Sequence, residues 1–76
     1  MSDEELYFLY TLLHVRRREE LGLSLREAAK LTRVSPQWMN KMETLQSPVT
    51  GRYILRSVAE LGLNLDELWQ VNLLYP

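Results

Sequence analysis

The side chains able to do chemistry in this sequence are few and scattered. His14 is the one histidine and there is no cysteine, so neither a metal-ligand set nor a cysteine nucleophile can be assembled. No Gly-rich phosphate loop and no nucleophile elbow occurs. A lone histidine inside the apolar run Leu6–Val15 reads as a core or interface residue. The carboxylates of Asp3, Glu4 and Glu5, and again of Asp66 and Glu67, fall in the first turns of expected helices, where they offset the helix dipole and need no catalytic role. Arg16, Arg17 and Arg18 are consecutive, and consecutive helical residues point in different directions; a solvated face is expected there rather than one phosphate patch. Tyr7, Phe8, Tyr10, Trp69 and Tyr75 read as packing between the first helix and the C-terminal segment. The expectation is a non-enzymatic chain with no metal and no cofactor.

Charge offers more. The net charge is -1 and the pI about 5.8, which lacks the overall basic signature of a typical nucleic-acid binder. Its distribution is uneven. From His14 to Arg52 the chain carries eight basic residues (Arg16, Arg17, Arg18, Arg26, Lys30, Arg33, Lys41, Arg52) against Glu19, Glu20, Glu27 and Glu43, a balance of +4. The two ends hold Asp3, Glu4, Glu5, Glu60, Asp66 and Glu67 against Arg56, a balance of -5. A basic middle can dock on phosphate, with weak and salt-sensitive affinity for random DNA.

The elements that must position these charges are helices. Residues 1–76 are expected to form one domain, close to the size at which a single core just suffices. The run from Leu6 to Val15 is too short to span a bilayer and follows acidic residues rather than a basic region, so no signal peptide or membrane segment is expected, and with no cysteine the natural compartment is the reducing cytoplasm. Ser2 with Glu5 is a capping-box pattern opening a helix from about Asp3 to Leu21, stopped by Gly22. Ser24 with Glu27 repeats it for a short helix ending near Thr32. Ser35 followed by Pro36 is an N-cap with proline at the first helical position, starting a third helix that runs to about Glu43. Gln46–Gly51 reads as a loop, after which Tyr53, Ile54, Leu55, Val58, Ala59 and Leu61 line a fourth helix closed by Gly62. Asn64 with Glu67 is expected to cap a fifth carrying Leu65, Leu68 and Trp69. The fold expectation is all-α: a compact five-helix bundle.

Helices 2 and 3 are separated by Thr32-Arg33-Val34-Ser35, a turn of the length that sets two helices at a steep angle and presents one of them. Here GLSLREAAKLTRVSPQWMNKME, followed by LRSVAELGLNLDEL, resembles the lambda-repressor-like, XRE-type helix-turn-helix DNA-binding family. The similarity spans roughly Tyr10 to Leu68 and includes Ala29 at the helix crossing, Val34 in the turn and Met39 as buried anchor. The resemblance implies that helix 3 enters the major groove with Ser35, Pro36, Gln37, Trp38, Asn40 and Lys41 on its exposed face. Gln37 can pair with adenine N6 and N7, Lys41 can donate to guanine or to phosphate, Asn40 can do either, and Pro36 offers an apolar surface to a thymine methyl. Ser35 can cap the helix and reach a phosphate. Trp38 must lie along the sugar-phosphate wall or pack on a neighbouring helix; phosphate contact through its N–H is the expectation. The family also implies phosphate contact at the N-terminus of helix 2, at Leu25 and Arg26. It often has glutamine at the position of Leu25, so Arg26 is expected to substitute. Arg52 is a further phosphate candidate, and Arg18 and Glu43 fall where the family joins helix 1 to helix 3 by a salt bridge.

The sequence departs from the family in places. Arg33 and Leu45 stand where glycine is frequent, and His14 where a core aliphatic is usual. Helix 1 starts about two turns early, and residues 69–76 are apolar enough to suggest that the ends cover each other or a second subunit. The expected function is sequence-specific double-stranded DNA binding by a homodimeric transcriptional regulator, a repressor rather than an activator, on a palindromic operator. The alternative is a protein-interaction module of the same fold, antitoxin-like or an accessory factor, with weak or no DNA binding.

Overall fold

In the computed structural model, described over residues 2–68, the chain folds into α1 (Asp3–Glu20), α2 (Leu25–Thr32), α3 (Pro36–Glu43) and α4 (Gly51–Leu61). Each start is written in the local sequence. Ser2 and Ser24 each accept from the backbone N–H three residues on, while Glu5 and Glu27 reach back to the cap N–H, closing two capping boxes. The Ser35 hydroxyl accepts from the Trp38 N–H at 3.0 Å with Pro36 in the first turn. Thr50 caps α4 by accepting from Tyr53 N–H at 3.1 Å.

The expectation of five helices is corrected to four among the described residues. The Asn64 side chain accepts from the N–H of Asp66, two residues on. The backbone then closes with Glu67 N–H to Asn64 C=O at 3.1 Å and Leu68 N–H to Leu65 C=O at 3.0 Å. Leu65 and Asp66 therefore form a turn, and Glu67 and Leu68 are helical at the edge of the described residues, too short a stretch to count as a further helix there. The further expectations for residues 69–76 lie outside the described residues.

α2 packs against α3 and α4, and α1 braces α3 and α4. Ala28 and Ala29 are fully buried where α2 meets its neighbours, and their small side chains permit that close approach. Leu9, Tyr10 and Leu13 from α1, Met39 and Met42 from α3, and Tyr53 from α4 fill the core, joined by Val49 and Leu63. Buried polar groups are paired: Tyr10 donates its hydroxyl to Ser57 at 2.6 Å, and Ser57 donates to the Ile54 carbonyl at 2.7 Å. Among the described residues no buried side-chain polar atom lacks a partner.

Two bends carry residues with a Cβ in the left-handed region, Arg33 at φ +61° and Leu45 at φ +64°. Arg33 ends α2 with its N–H directed at the carbonyls of Ala29 and Lys30, and Val34 N–H also bonds Ala29 C=O at 3.0 Å. After α3, Gln46 N–H bonds Lys41 C=O at 2.7 Å around Leu45. These bonds close the helix ends and hold conformations that glycine would enter without strain.

Candidate nucleic-acid interface

α3 is amphipathic in the literal sense that its two methionines are buried and its polar side chains are not. Met39 and Met42 anchor it, 0% and 1% exposed, and Pro36, Gln37, Asn40 and Lys41 lie exposed on the other side. The spacing explains this: 39 and 42 are three apart, one stripe, while 37, 40 and 41 form the neighbouring stripe. Ser35 is exposed but its hydroxyl is already used as cap acceptor; it keeps a donor hydrogen for another partner.

Trp38 departs from the expected phosphate contact. It is half-buried against the core, and its ring meets Tyr53 of α4 edge-on, with centroids 5.0 Å apart. The indole in the first turn of α3 thus reaches the first turn of α4, where Tyr53 lies. The side chain packs on the neighbouring helix α4. Leu25 likewise turns inward and packs against the core, leaving only its backbone N–H at the N-terminus of α2. That end already carries the Glu27 carboxylate, which accepts from Ser24 N–H at 3.0 Å and whose pKa is lowered by that backbone bond first and by the Ser24 hydroxyl second.

The basic residues of the middle segment separate into two groups. Arg16 pairs with Glu20 at 3.0 Å on the surface. Arg17 donates to the Leu61 carbonyl at 2.7 Å, covering the C-terminal end of α4, where a cation is favoured. Arg18 grips Glu43, with Nε 2.9 Å from Oε2 and Nη2 2.9 Å from Oε1. Arg17 also reaches Glu20 at 3.5 Å, so of the three consecutive arginines two share Glu20 on the surface and only Arg18 reaches α3. By contrast Arg26, Lys30, Arg33, Lys41 and Arg52 are exposed and have no ion-pair partner among the described residues.

Glu43 is the acidic residue of α3, and it faces inward. Its side chain is 6% exposed. Besides the Arg18 fork it accepts from His14 Nδ1 at 2.8 Å. Burial alone would raise its carboxyl, but the bonds from His14 and Arg18 outweigh burial and hold it below the usual carboxylate value. An ionised carboxylate only accepts, so His14 donates its Nδ1–H to Glu43, and its Nε2 shares a hydrogen bond with the Tyr53 hydroxyl. His14 is fully buried. Burial pushes the Tyr53 phenol up to about 12, and the Tyr10 phenol is raised for the same reason. The core role read for His14 from the sequence is present. Its two partners, from α3 and α4, had no sequence signal, because residues 29 and 39 positions away meet only in the fold.

The turn Arg33–Ser35 joins a capped α2, closed by a left-handed residue, to an α3 anchored on one face and polar on the other. That arrangement is a helix-turn-helix. The family model for the helix-turn-helix domain matches residues 15–68, and the chain belongs to this family of DNA-binding domains. Comparison with curated proteins found no match, and neither did comparison with solved structures. No described helix is long and apolar enough to cross a membrane.

Proposed function

We propose that this chain is a sequence-specific double-stranded DNA-binding regulator of the lambda-repressor-like, XRE type, acting in the cytoplasm as a homodimer on a palindromic operator and repressing where that operator overlaps a promoter. One observation carries the reading: α3 exposes Gln37, Asn40 and Lys41 while its carboxylate is tied inward to Arg18 and His14. The outward face of the helix is thus left with donors and acceptors suited to base edges and with a net positive charge.

In this reading Gln37, Asn40 and Lys41 contact base edges, with Pro36 against a thymine methyl. Arg26, Arg52, Ser35 and the Leu25 N–H hold phosphates. Trp38, already engaged with Tyr53, supports the helix from behind. Two copies would place two such helices one DNA turn apart. Exposed Leu6, Tyr7 and Phe8 on α1 lie ahead of the family-matched residues and give a second copy apolar surface to cover.

The test is a fluorescence-anisotropy titration against a randomised duplex pool at two salt concentrations, with sequencing of the bound fraction. Recovery of a palindromic motif with a steep salt slope supports the reading. An absence of binding at low salt overturns it and favours a protein-interaction module of the same fold, to which the same exposed α1 residues would be available.

A further inference from the structure

We propose that His14 and Tyr53 are positioning residues for α3, holding the recognition helix at both ends from inside the core without touching DNA; the inference rests on the DNA-binding reading above. α3 has eight residues, a length of about 12 Å. Met39 and Met42 seat its inner face in the core and the Arg18 fork fixes its last residue, Glu43, which leaves the first turn to be held by something else. A tilt of about 5° about that seat, over the length of the helix, would displace the first turn by about 1 Å, twice the roughly 0.5 Å tolerance of a preorganised contact. Gln37 sits at that far end.

The second tie is Trp38, and what holds Trp38 is Tyr53. The ring of Tyr53 meets the indole edge-on, and its hydroxyl is bonded to His14 Nε2. The other nitrogen of the same imidazole is bonded to Glu43. His14 therefore links the C-terminal tie to the N-terminal one through a single rigid ring, and its own place is set by full burial in α1. An aliphatic side chain at position 14 would fill the same space yet offer neither bond. Trp38 precedes Lys41 by three residues and follows Gln37 directly, so the angle that Tyr53 imposes on the indole is passed to both outward-facing neighbours.

The experiment uses the full chain with Tyr53→Phe, which keeps the ring and removes the hydroxyl, and with Trp38→Leu and the double variant. Each is titrated against a selected duplex and a random one. Tyr53→Phe is expected to lower the ratio of specific to random affinity about tenfold, the size of coupling that residues in contact commonly show. Random-duplex affinity should stay within about twofold, since the phosphate contacts are unchanged. In the Trp38→Leu background Tyr53→Phe should lower the ratio no further. An unchanged ratio, or effects that simply add, would overturn the inference. Should Tyr53→Phe fail to fold, Trp38→Phe against Trp38→Leu decides: the first, keeping an aromatic edge, retains the ratio, and loss of the ratio in neither variant overturns the inference.

Nitrogen NMR of the one histidine and amide shifts across α3, both without DNA, form an independent arm. Tyr53→Phe should move the α3 amides and the His14 Nε2 signal. If the wild type prefers no duplex, the DNA-binding reading fails by itself, and α3 amides unmoved by Tyr53→Phe are then the result that overturns the positioning role.

Discussion

Glu43→Gln isolates the most heavily bonded charge in the fold, because glutamine copies the shape of a protonated glutamate. In the wild type the carboxylate accepts both nitrogens of the Arg18 fork and the His14 Nδ1–H, with its side chain 6% exposed. Removing one member of a buried pair costs about 3–5 kcal/mol. Glutamine keeps one acceptor oxygen, which retains about 1 kcal/mol, so the expected loss is roughly 2–4 kcal/mol at neutral pH. A chain of 76 residues has a total stability of about 4–11 kcal/mol. The melting temperature should therefore fall by at least about 8 °C, at roughly 4 °C or more per kcal/mol. The pH dependence sharpens the test. Because the folded-state pKa of Glu43 is lowered, its contribution is complete above the unfolded value of about 4.3 and is lost as pH falls through the folded value. Urea denaturation followed by circular dichroism should show a wide gap between wild type and variant at neutral pH, closing on acidification below about pH 4. A variant within about 0.5 kcal/mol of wild type at neutral pH, or a gap that stays constant on acidification, would refute the reasoning.

Other outcomes follow from particular residues. Arg33→Gly and Leu45→Gly each remove a Cβ from a left-handed position and should stabilise by about 1 kcal/mol in thermal melts; destabilisation by either would show that its side chain is anchored more firmly than its exposure suggests. Gln37→Ala should lose roughly 1–3 kcal/mol of discrimination at a single operator position, read by titrating single-base variants, and an equal loss on all sequences would remove Gln37 from the base readers. With Tyr53 raised to about 12 and Tyr10 also raised, stability is complete below the ordinary phenol pKa of about 10 and is lost as pH rises beyond it. Ultraviolet titration should show delayed ionisation of these two of the four tyrosines, and ionisation of all four near pH 10 before unfolding would contradict their burial.

Local punctuation was legible from residue types alone, because a cap is decided by a side chain and a backbone N–H three positions away. Ser2, Ser24 and Ser35 each marked a helix start where one occurs. Thr50 did the same work unread, since Pro48 and Gly51 beside it carry the marks of a loop, and α4 begins at Gly51, the last residue of the expected loop. Asn64 accepts from the Asp66 N–H and is followed by helical Glu67 and Leu68, but no fifth helix is completed within the described residues. The paired placement of Arg18 and Glu43, implied by family resemblance, is joined by short bonds.

What the sequence by itself determined, then, is the helical class, most helix starts and the polar stripe on α3, all of which depend on neighbours within one or two turns. Tertiary structure alone decided where Trp38 and Leu25 point, what His14 bonds and which of three adjacent arginines holds α3. Those outcomes depend on groups brought together from distant positions, such as His14 and Tyr53, 39 residues apart. No periodicity encodes such a meeting; it exists only once the helices have packed around a common core and each buried polar group has had to find a partner there.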